Sequence, residues 1–395
     1  MKAVILAAGK STRTYPLTAN KPKPLLKAAN KTLLEHNLEQ LNGLIDEAII
    51  IVGFGKEQIK KHIGDRFGKI RIRYAEQKEQ LGTGNALLQA ERFVGKERFV
   101  VLMGDDLYGK DDIKKGIKNK YSIFAKRVRN PKYFGVLETK GGFLIRLTEK
   151  PEKPTSDLVD TGLYVLDEKI FSLLKKIKES ERKEYELTDA VTEFAGKEKV
   201  KVVEQSFWYP IAYPWSLLEA NEALLGKIKK NIKGKIEKNA TIRGEAVIGK
   251  GTIIKSGAYI EGPVVIGENC IIGPNCYIRP STAIGNNCKI GNAVEVKNSI
   301  LMDNVHIGHL SYVGDSVLAD NVNFGAGTAI ANLRHDNSEV KSVVNGKLIS
   351  TGRRKFGAVI GENAKTGINT SIYPGRKIWP GKTTMPGEIV RKDVV

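Results

Sequence analysis

Over the first half of the chain, short β-rich apolar runs alternate with segments whose apolar residues recur near helical spacing. The runs at Lys2–Ala8, Glu47–Gly53, Ile70–Ala75 and Phe99–Met103 predict strands, and Leu33–Leu44, Glu57–Phe67 and Gly84–Phe93 predict helices between them. This β-α-β-α-β-α-β order predicts a mostly parallel sheet covered on both faces. Further strands are predicted at Ser122–Val128, Gly135–Glu138, Leu144–Thr148 and Thr161–Leu166, and helices at Lys169–Lys178 and Leu187–Ala195. Trp215–Ile232 reads as a linking helix that turns basic at its end.

From Ile236 the pattern changes. An aliphatic residue recurs every six positions through Ile242, Ile248, Ile254, Ile260 and onward to Ile290, Val296 and Met302. Two positions before most of them lies a compact side chain, such as Ala246, Thr252, Cys270, Cys276 or Cys288. A six-residue period with a turn after each aliphatic position builds a triangular prism of short parallel strands, three hexads to a coil. The register slips by one residue after Met302 and breaks between Gly327 and Phe356. It resumes at Ile360, so Asn332–Lys355 is expected to project from the prism as a functional loop. The expected organisation is an α/β Rossmann-like domain over 1–213, a linking helix over 214–234 and a parallel β-helix over 235–395.

At 395 residues the chain can bury two cores. No apolar stretch reaches the roughly 18 residues of a membrane span, and Ala3–Ala8 is shorter than a signal-peptide core, so a cytoplasmic protein without membrane contact is expected. The three cysteines are spaced by multiples of six, which places them in the packing row and not in a zinc site. The net charge of +20 is dispersed among acidic residues, which argues against a nucleic-acid stripe.

Two stretches carry candidate chemistry. The first strand runs into Ala7-Ala8-Gly9-Lys10-Ser11-Thr12-Arg13, with Lys21-Pro22-Lys23-Pro24 soon after. A small-residue turn at a strand's carboxyl end offers N–H groups to phosphates, and Arg13 and Lys23 supply positive charge. The set resembles the sugar-1-phosphate nucleotidyltransferases, whose signature runs Leu-Ala-Ala-Gly, any residue, Gly-Thr-Arg and then a Pro-Lys-Pro lysine. Ser11 stands where their second glycine is expected. The resemblance implies catalytic Arg13 and Lys23, a nucleotide site at Leu6, Ala7, Ala8, Gly9, Gln77, Gly82 and Thr83, and a sugar-phosphate site at Gly135, Glu149 and Asp160. It also implies Mg2+ held by Asp105, where the strand Phe99–Met103 ends in Gly104-Asp105. Relatives place a metal-binding Asp or Asn where this chain has Pro210, so either another carboxylate such as Asp106 compensates or the domain is slow or inactive.

The second stretch is Gly308-His309-Leu310-Ser311-Tyr312-Val313-Gly314-Asp315, followed by Asn323-Phe324-Gly325-Ala326-Gly327. A neutral imidazole suits a general base for an attacking amine. These residues resemble the acetyltransferase half of the bifunctional N-acetylglucosamine-1-phosphate uridyltransferase / glucosamine-1-phosphate N-acetyltransferase family, whose β-helix is left-handed and commonly trimeric with sites between subunits. The resemblance implies His309 as base. Arg279 and Lys297, three hexads and therefore one coil apart, are implied to grip the sugar phosphate, with Tyr312 and Asn323 on the sugar. Acetyl-CoA is implied at Ala326, Asn332, Ile368 and Pro386, with Leu333 where relatives have tyrosine, and Arg353, Arg354 and Lys355 available to its phosphates.

A bifunctional enzyme follows from the two halves, using acetyl-CoA and UTP or dTTP on glucosamine- or galactosamine-1-phosphate, with a homotrimer as its assembly. Two other readings stand beside it. In one, only the acetyltransferase works and the N-terminal domain binds without turnover. In the other, the chain is a non-enzymatic assembly subunit, since some translation-factor subunits join a nucleotidyltransferase-like domain to hexapeptide repeats.

Overall fold

A computed structural model describes residues 1–395 and divides the chain into two compact units. Met1–Lys10, Pro22–Leu25 and Leu33–Pro210 form the first, and Ser11–Lys21, Leu26–Thr32 and Ile211–Val395 form the second. The division is therefore not sequential, because two short segments near the N-terminus fold with the C-terminal half.

The first unit is built on a ten-stranded sheet. Ile70–Glu76, Glu47–Val52, Lys2–Ala7 and Phe99–Met103 lie side by side in parallel. Alternate residues of these strands enter opposite cores, Val4, Leu6 and Val101 on one side and Ala3, Ile5 and Leu102 on the other. Burial on both faces explains why the runs are apolar throughout and do not alternate. Leu158–Leu166 runs antiparallel to Phe99–Met103 and to Ser122–Arg127, and Gly135–Lys140 pairs antiparallel with Phe143–Glu149. The sheet is thus mixed, where a mostly parallel one was expected, because Ser122–Arg127, Gly135–Lys140, Phe143–Glu149 and Leu158–Leu166 follow one another without the α-helix that a parallel crossover needs. The helix expected over Gly84–Phe93 is two short ones, Thr83–Leu88 and Glu91–Val94.

The second unit is the left-handed parallel β-helix. Its strands rotate through three faces, and each pairs with the strand one coil on. Face one runs from Asn231–Ile232 to Lys377–Ile378, face two from Lys235–Ile236 to Lys365–Thr366, and face three from Thr241–Arg243 to Ile389–Val390. The aliphatic row points inward and is almost wholly buried, as are Cys270, Cys276 and Cys288. Each such isoleucine contributes about 1.5–3 kcal/mol by leaving water. The linking helix is shorter than expected, Ser216–Leu225, because Asn231–Ile232 already pairs with Val247–Ile248.

The slip in register lies earlier than the apolar pattern implies. Ile278 still pairs with Val296, three full hexads on, but Ile284 pairs with Leu301, so one residue is lost between Val296 and Leu301. Leu301 belongs to the inner cluster in place of Met302, and two adjacent apolar residues make the row ambiguous. A second shortening follows between Val313 and Leu318, so that these coils too are one residue short of three hexads. The break at 332–355 is an antiparallel hairpin, Lys341–Val344 with Lys347–Ser350, which packs Val340 and Val344 inward. No helix is long and apolar enough to cross a membrane.

Candidate active sites

In the first unit, the strand Lys2–Ala7 has Glu47–Val52 on one side and Phe99–Met103 on the other. Chain order reverses there, which opens a crevice at the strands' carboxyl ends. Gly104 N donates to Leu6 O at 2.8 Å, extending the pairing to the point where Asp105 leaves the sheet. Lys23 Nζ donates to Asp105 Oδ2 at 2.5 Å, with the lysine side chain only 7% exposed. Removing either partner would strand a largely buried charge.

Leu6, Ala7 and Ala8 are buried and offer the site only backbone, while Gly9 is exposed. The Ala8 carbonyl accepts from Phe54 N and from Gln80 Nε2, both at 3.1 Å. Gly53 makes this approach possible, since a Cβ there would stand 2.8 Å from Ala8 O. Gln77 is buried and donates through Nε2 to Gly82 O and Asn85 Oδ1, each at 3.0 Å. Gly82 has φ +97° and lies against the Tyr185 carbonyl, a place no side chain fits. Thr83 accepts from Leu187 N at 3.2 Å. Gln77, Gly82 and Thr83 therefore form one folded corner, and Gln80 and Gly53, which motif reading passed over, connect it to the Ala8 turn.

Gly135, Glu149 and Asp160 also converge. A Cβ on Gly135 would meet Glu149 Oε2 at 3.3 Å and the Asp160 Cβ at 3.4 Å. Asp160 accepts from Tyr164 Oη and from Gly162 N, and burial pushes its carboxyl up to about 7. Glu149 is held by Lys150 and by Arg182, which the sequence did not single out.

Pro210 lies directly opposite Asp106 in the short ladder of Asp106–Tyr108 with Trp208–Pro210. Trp208 Nε1 donates to Asp106 Oδ2 at 3.2 Å. No cluster of three or more His, Cys, Asp or Glu side chains is present. Mg2+ in such chemistry uses one or two carboxylates plus substrate phosphates, and Asp105 with its neighbour Asp106 fits that donor set.

Arg13 belongs to the second unit. Ser11 precedes it with φ +52°, a left-handed conformation that costs an L-residue about 1–2 kcal/mol and explains the glycine preferred there. The Ser11 carbonyl offsets this by accepting from the Thr14 and Thr18 hydroxyls, each at 2.8 Å. The Arg13 guanidinium is exposed, forms no ion pair and stands 6.0 Å from the centre of the Tyr213 ring.

In the same unit the coil period turns sequence intervals into neighbours. Asn292 pairs with His309 across one coil. Gly327 N then donates to His309 O at 3.3 Å, Asn369 N to Ala326 O at 2.7 Å and Gly387 N to Ile368 O at 2.7 Å. His309, Ala326, Ile368 and Pro386 thus mark successive turns of one corner column, between faces two and three. The His309 imidazole is exposed and has no partner, and Ile368 is 54% exposed.

Face three carries Arg279 and Lys297, the two cations expected to grip a sugar phosphate. Arg279 N donates to Val296 O, which stacks Arg279 on Lys297. Each cation has its own carboxylate, Arg279 with Glu295 at 2.8 Å and Lys297 with Asp315 at 3.6 Å. The Arg279 Nε donor is left without an acceptor. Asp315, buried at the shortened corner, also accepts from Asn332 Nδ2 at 2.5 Å, and Asn332 donates to Tyr312 Oη at 3.2 Å. Asn332 thus braces Tyr312 and Asp315 and does not lie on the His309 column. Lys355 joins Lys297, whose charge holds the Lys355 amine below its usual range. Arg353 is spent on Glu222 and Glu219 of the linking helix, so it is not a free cation for CoA. Asn323 sits on face two, paired with His306 and Lys365, on the other side of the His309 corner. Lys297 pairs with Gly314 across a coil one residue short of three hexads, which sets Asp315 beside it, whereas Lys355 has no sequence signal because the hairpin interrupts the count.

Residues 2–227 match the nucleotidyl transferase family, and residues 260–386 match the GMPPB C-terminal domain. The bifunctional protein GlmU of Methanocaldococcus jannaschii is 44% identical over all of this chain and 96% of its own length. The bifunctional sugar-1-phosphate nucleotidylyltransferase/acetyltransferase of Sulfurisphaera tokodaii is 42% identical over all of this chain and 98% of its own length. A crystal structure of a Bacillus anthracis protein assigned as a glucose-1-phosphate thymidylyltransferase superposes with a TM-score of 0.53 at 30% identity, covering 59% of this chain and 98% of that one.

Proposed function

This chain belongs to the nucleotidyl transferase family and matches bifunctional relatives end to end, and from that premise we propose that it acetylates an amino-sugar-1-phosphate and then transfers a nucleotidyl group to the product. The preferred substrates are glucosamine-1-phosphate, acetyl-CoA and UTP, giving UDP-N-acetylglucosamine, with galactosamine-1-phosphate and dTTP as the other candidates. The observation that carries the reading is the unpartnered His309 at a corner flanked by the Arg279–Lys297–Tyr312 cluster. An assembly scaffold has no use for an exposed base beside two stacked cations.

In the acetyl transfer, Arg279 and Lys297 bind the sugar phosphate, with Lys355 adding charge. Tyr312, held by Asn332, orients the sugar. The amine attacks the thioester carbonyl, His309 takes the amine proton, the N–C bond forms, the C–S bond breaks and the CoA thiolate leaves. The stacked corner past Ala326, Ile368 and Pro386 offers backbone to the pantetheine chain. Asn323 stands on face two, across the His309 corner from the Arg279 cluster, a placement that supports a homotrimer in which a second copy's face closes each site.

In the nucleotidyl transfer, the turn after Ala8 holds the nucleoside triphosphate and the Gln77–Gly82 corner faces its base. Asp160 and Glu149 hold the sugar. A phosphate oxygen of the sugar attacks the α-phosphorus and pyrophosphate leaves, with Lys23 stabilising the charge that builds up. Asp105, assisted by Asp106, would hold Mg2+, which supplies charge neutralisation on the phosphates when bound.

The first test is thiol release from acetyl-CoA with glucosamine-1-phosphate, alongside pyrophosphate release from UTP with N-acetylglucosamine-1-phosphate. Turnover in both assays is expected. Thiol release without pyrophosphate release with either UTP or dTTP would leave the acetyltransferase-only reading, motivated by Pro210, in its place.

A further inference from the structure

Gln77 follows directly on the strand Ile70–Glu76 and is 5% exposed, with its backbone N donating to Val52 O at 2.9 Å. Both protons of its amide nitrogen are committed, one to Gly82 O and one to Asn85 Oδ1, each at 3.0 Å. A backbone carbonyl can only accept, so the Gln77 atom facing Gly82 has to be its nitrogen, and the Asn85 atom facing that nitrogen has to be its oxygen. Turning the Gln77 amide over would set its oxygen against two acceptors. Asn85 is half-buried in the helix Thr83–Leu88, and all of these residues lie in the first unit. Gln77 Oε1 is the atom of this amide left without a partner, and it complements a base edge that presents an N–H. Uracil and thymine carry an N–H at N3, whereas cytosine has a bare acceptor nitrogen there.

We propose that Asn85 is a positioning residue that sets base choice, holding the Gln77 amide in the one orientation that favours uracil or thymine nucleotides over cytosine ones. This rests on the placement of the base at the Gln77–Gly82 corner. A cytosine there would bring its N3 lone pair against Gln77 Oε1 and leave two acceptors unpaired in a buried corner, which costs more than a missing contact. Gly82 O supplies one of the two acceptors that fix the amide and belongs to the backbone, so Asn85 is the side chain through which the orientation can be changed.

The test uses the full chain and reads two quantities with UTP and with CTP: kcat/KM for pyrophosphate release, and Kd for the free nucleotide by calorimetry. The parent should favour UTP by about 10- to 100-fold. Asn85→Leu removes one of the two acceptors, and the UTP-to-CTP ratio should fall by about five- to tenfold, the scale of one hydrogen bond. Asn85→Asp, whose carboxylate can only accept, should keep the ratio within about twofold of the parent. An unchanged ratio in Asn85→Leu overturns the proposal, and so does an equal loss for both nucleotides, which would reduce Asn85 to a general stabiliser. Gln77→Glu, which cannot donate to Gly82 O, should abolish the preference. If it leaves the ratio intact, the base does not lie at this corner and the placement itself fails. If it abolishes the ratio while Asn85→Leu does not move it, only the role of Asn85 fails. A parent that binds UTP over CTP but releases no pyrophosphate would sink nucleotidyl transfer, and the Kd ratios would still decide for or against Asn85.

Discussion

The sheet unit and the β-helix unit assemble their sites by opposite rules. In the sheet, Lys23 reaches Asp105 across 82 positions of chain, and the contact exists because parallel strands end together at a switch point. In the β-helix, Arg279 meets Lys297 and His309 precedes Ala326 in the same column because one coil is three hexads, or one residue fewer where a corner is shortened. A solenoid converts intervals into neighbours, so its site tolerates counting. A doubly wound sheet does not, and its site has to be recognised by motif.

If the two sites are as separate as these rules imply, substitutions should divide cleanly between the two assays. The largest effect is expected from His309→Ala, which should reduce thiol release by about 100-fold or more and leave pyrophosphate release unchanged. Equal thiol release in variant and parent would remove His309 as base. Next, Lys23→Met should lower pyrophosphate release by about 100-fold without altering acetyl transfer, since it removes a preorganised charge and leaves Asp105 unpaired. Loss of both activities would mean that the units do not work independently.

Pro210→Asp sharpens the comparison further. It places a second carboxylate opposite Asp106 and should raise Mg2+-dependent pyrophosphate release by roughly tenfold if one donor is missing, in line with the worth of an added ligand shell group. No change would show the proline to be harmless. The smallest effect is on stability. Asp160 titrates near 7 when folded and about 3.9 when unfolded, so between those values the native state keeps a proton that the unfolded state gives up. The carboxyl's contribution to stability therefore declines as pH rises from about 4 to 7, and Asp160→Asn should gain in Tm relative to the parent over that range. Parallel Tm curves would contradict the burial argument.

Much of the β-helix is legible in the sequence because its inward row repeats without regard to distant contacts. Where two apolar residues stand together, at Leu301 and Met302, the period alone places the slip wrongly, and only strand pairing locates it. Lys355 escapes the count for a related reason, since the hairpin brings it back beside Lys297 after an interval unrelated to the coil. In the first unit the motifs mark the Ala8 turn and the Gly135–Glu149–Asp160 group, but Gln80 and Gly53 carry no motif and act through close approach.

Local chemistry written in the chain accounts for the strands, the prism and the character of each reacting group, because periodicity, turn residues and side-chain type act over a few residues. Which groups meet is a different matter. The loss of one residue at each of two corners, the ion pairs chosen by Arg279, Lys297 and Arg353, and the folding of Ser11–Lys21 with the β-helix all depend on backbone separated by tens or hundreds of residues. Those contacts are set by packing and by the need to satisfy buried polar groups, forces that act only once the chain has closed on itself.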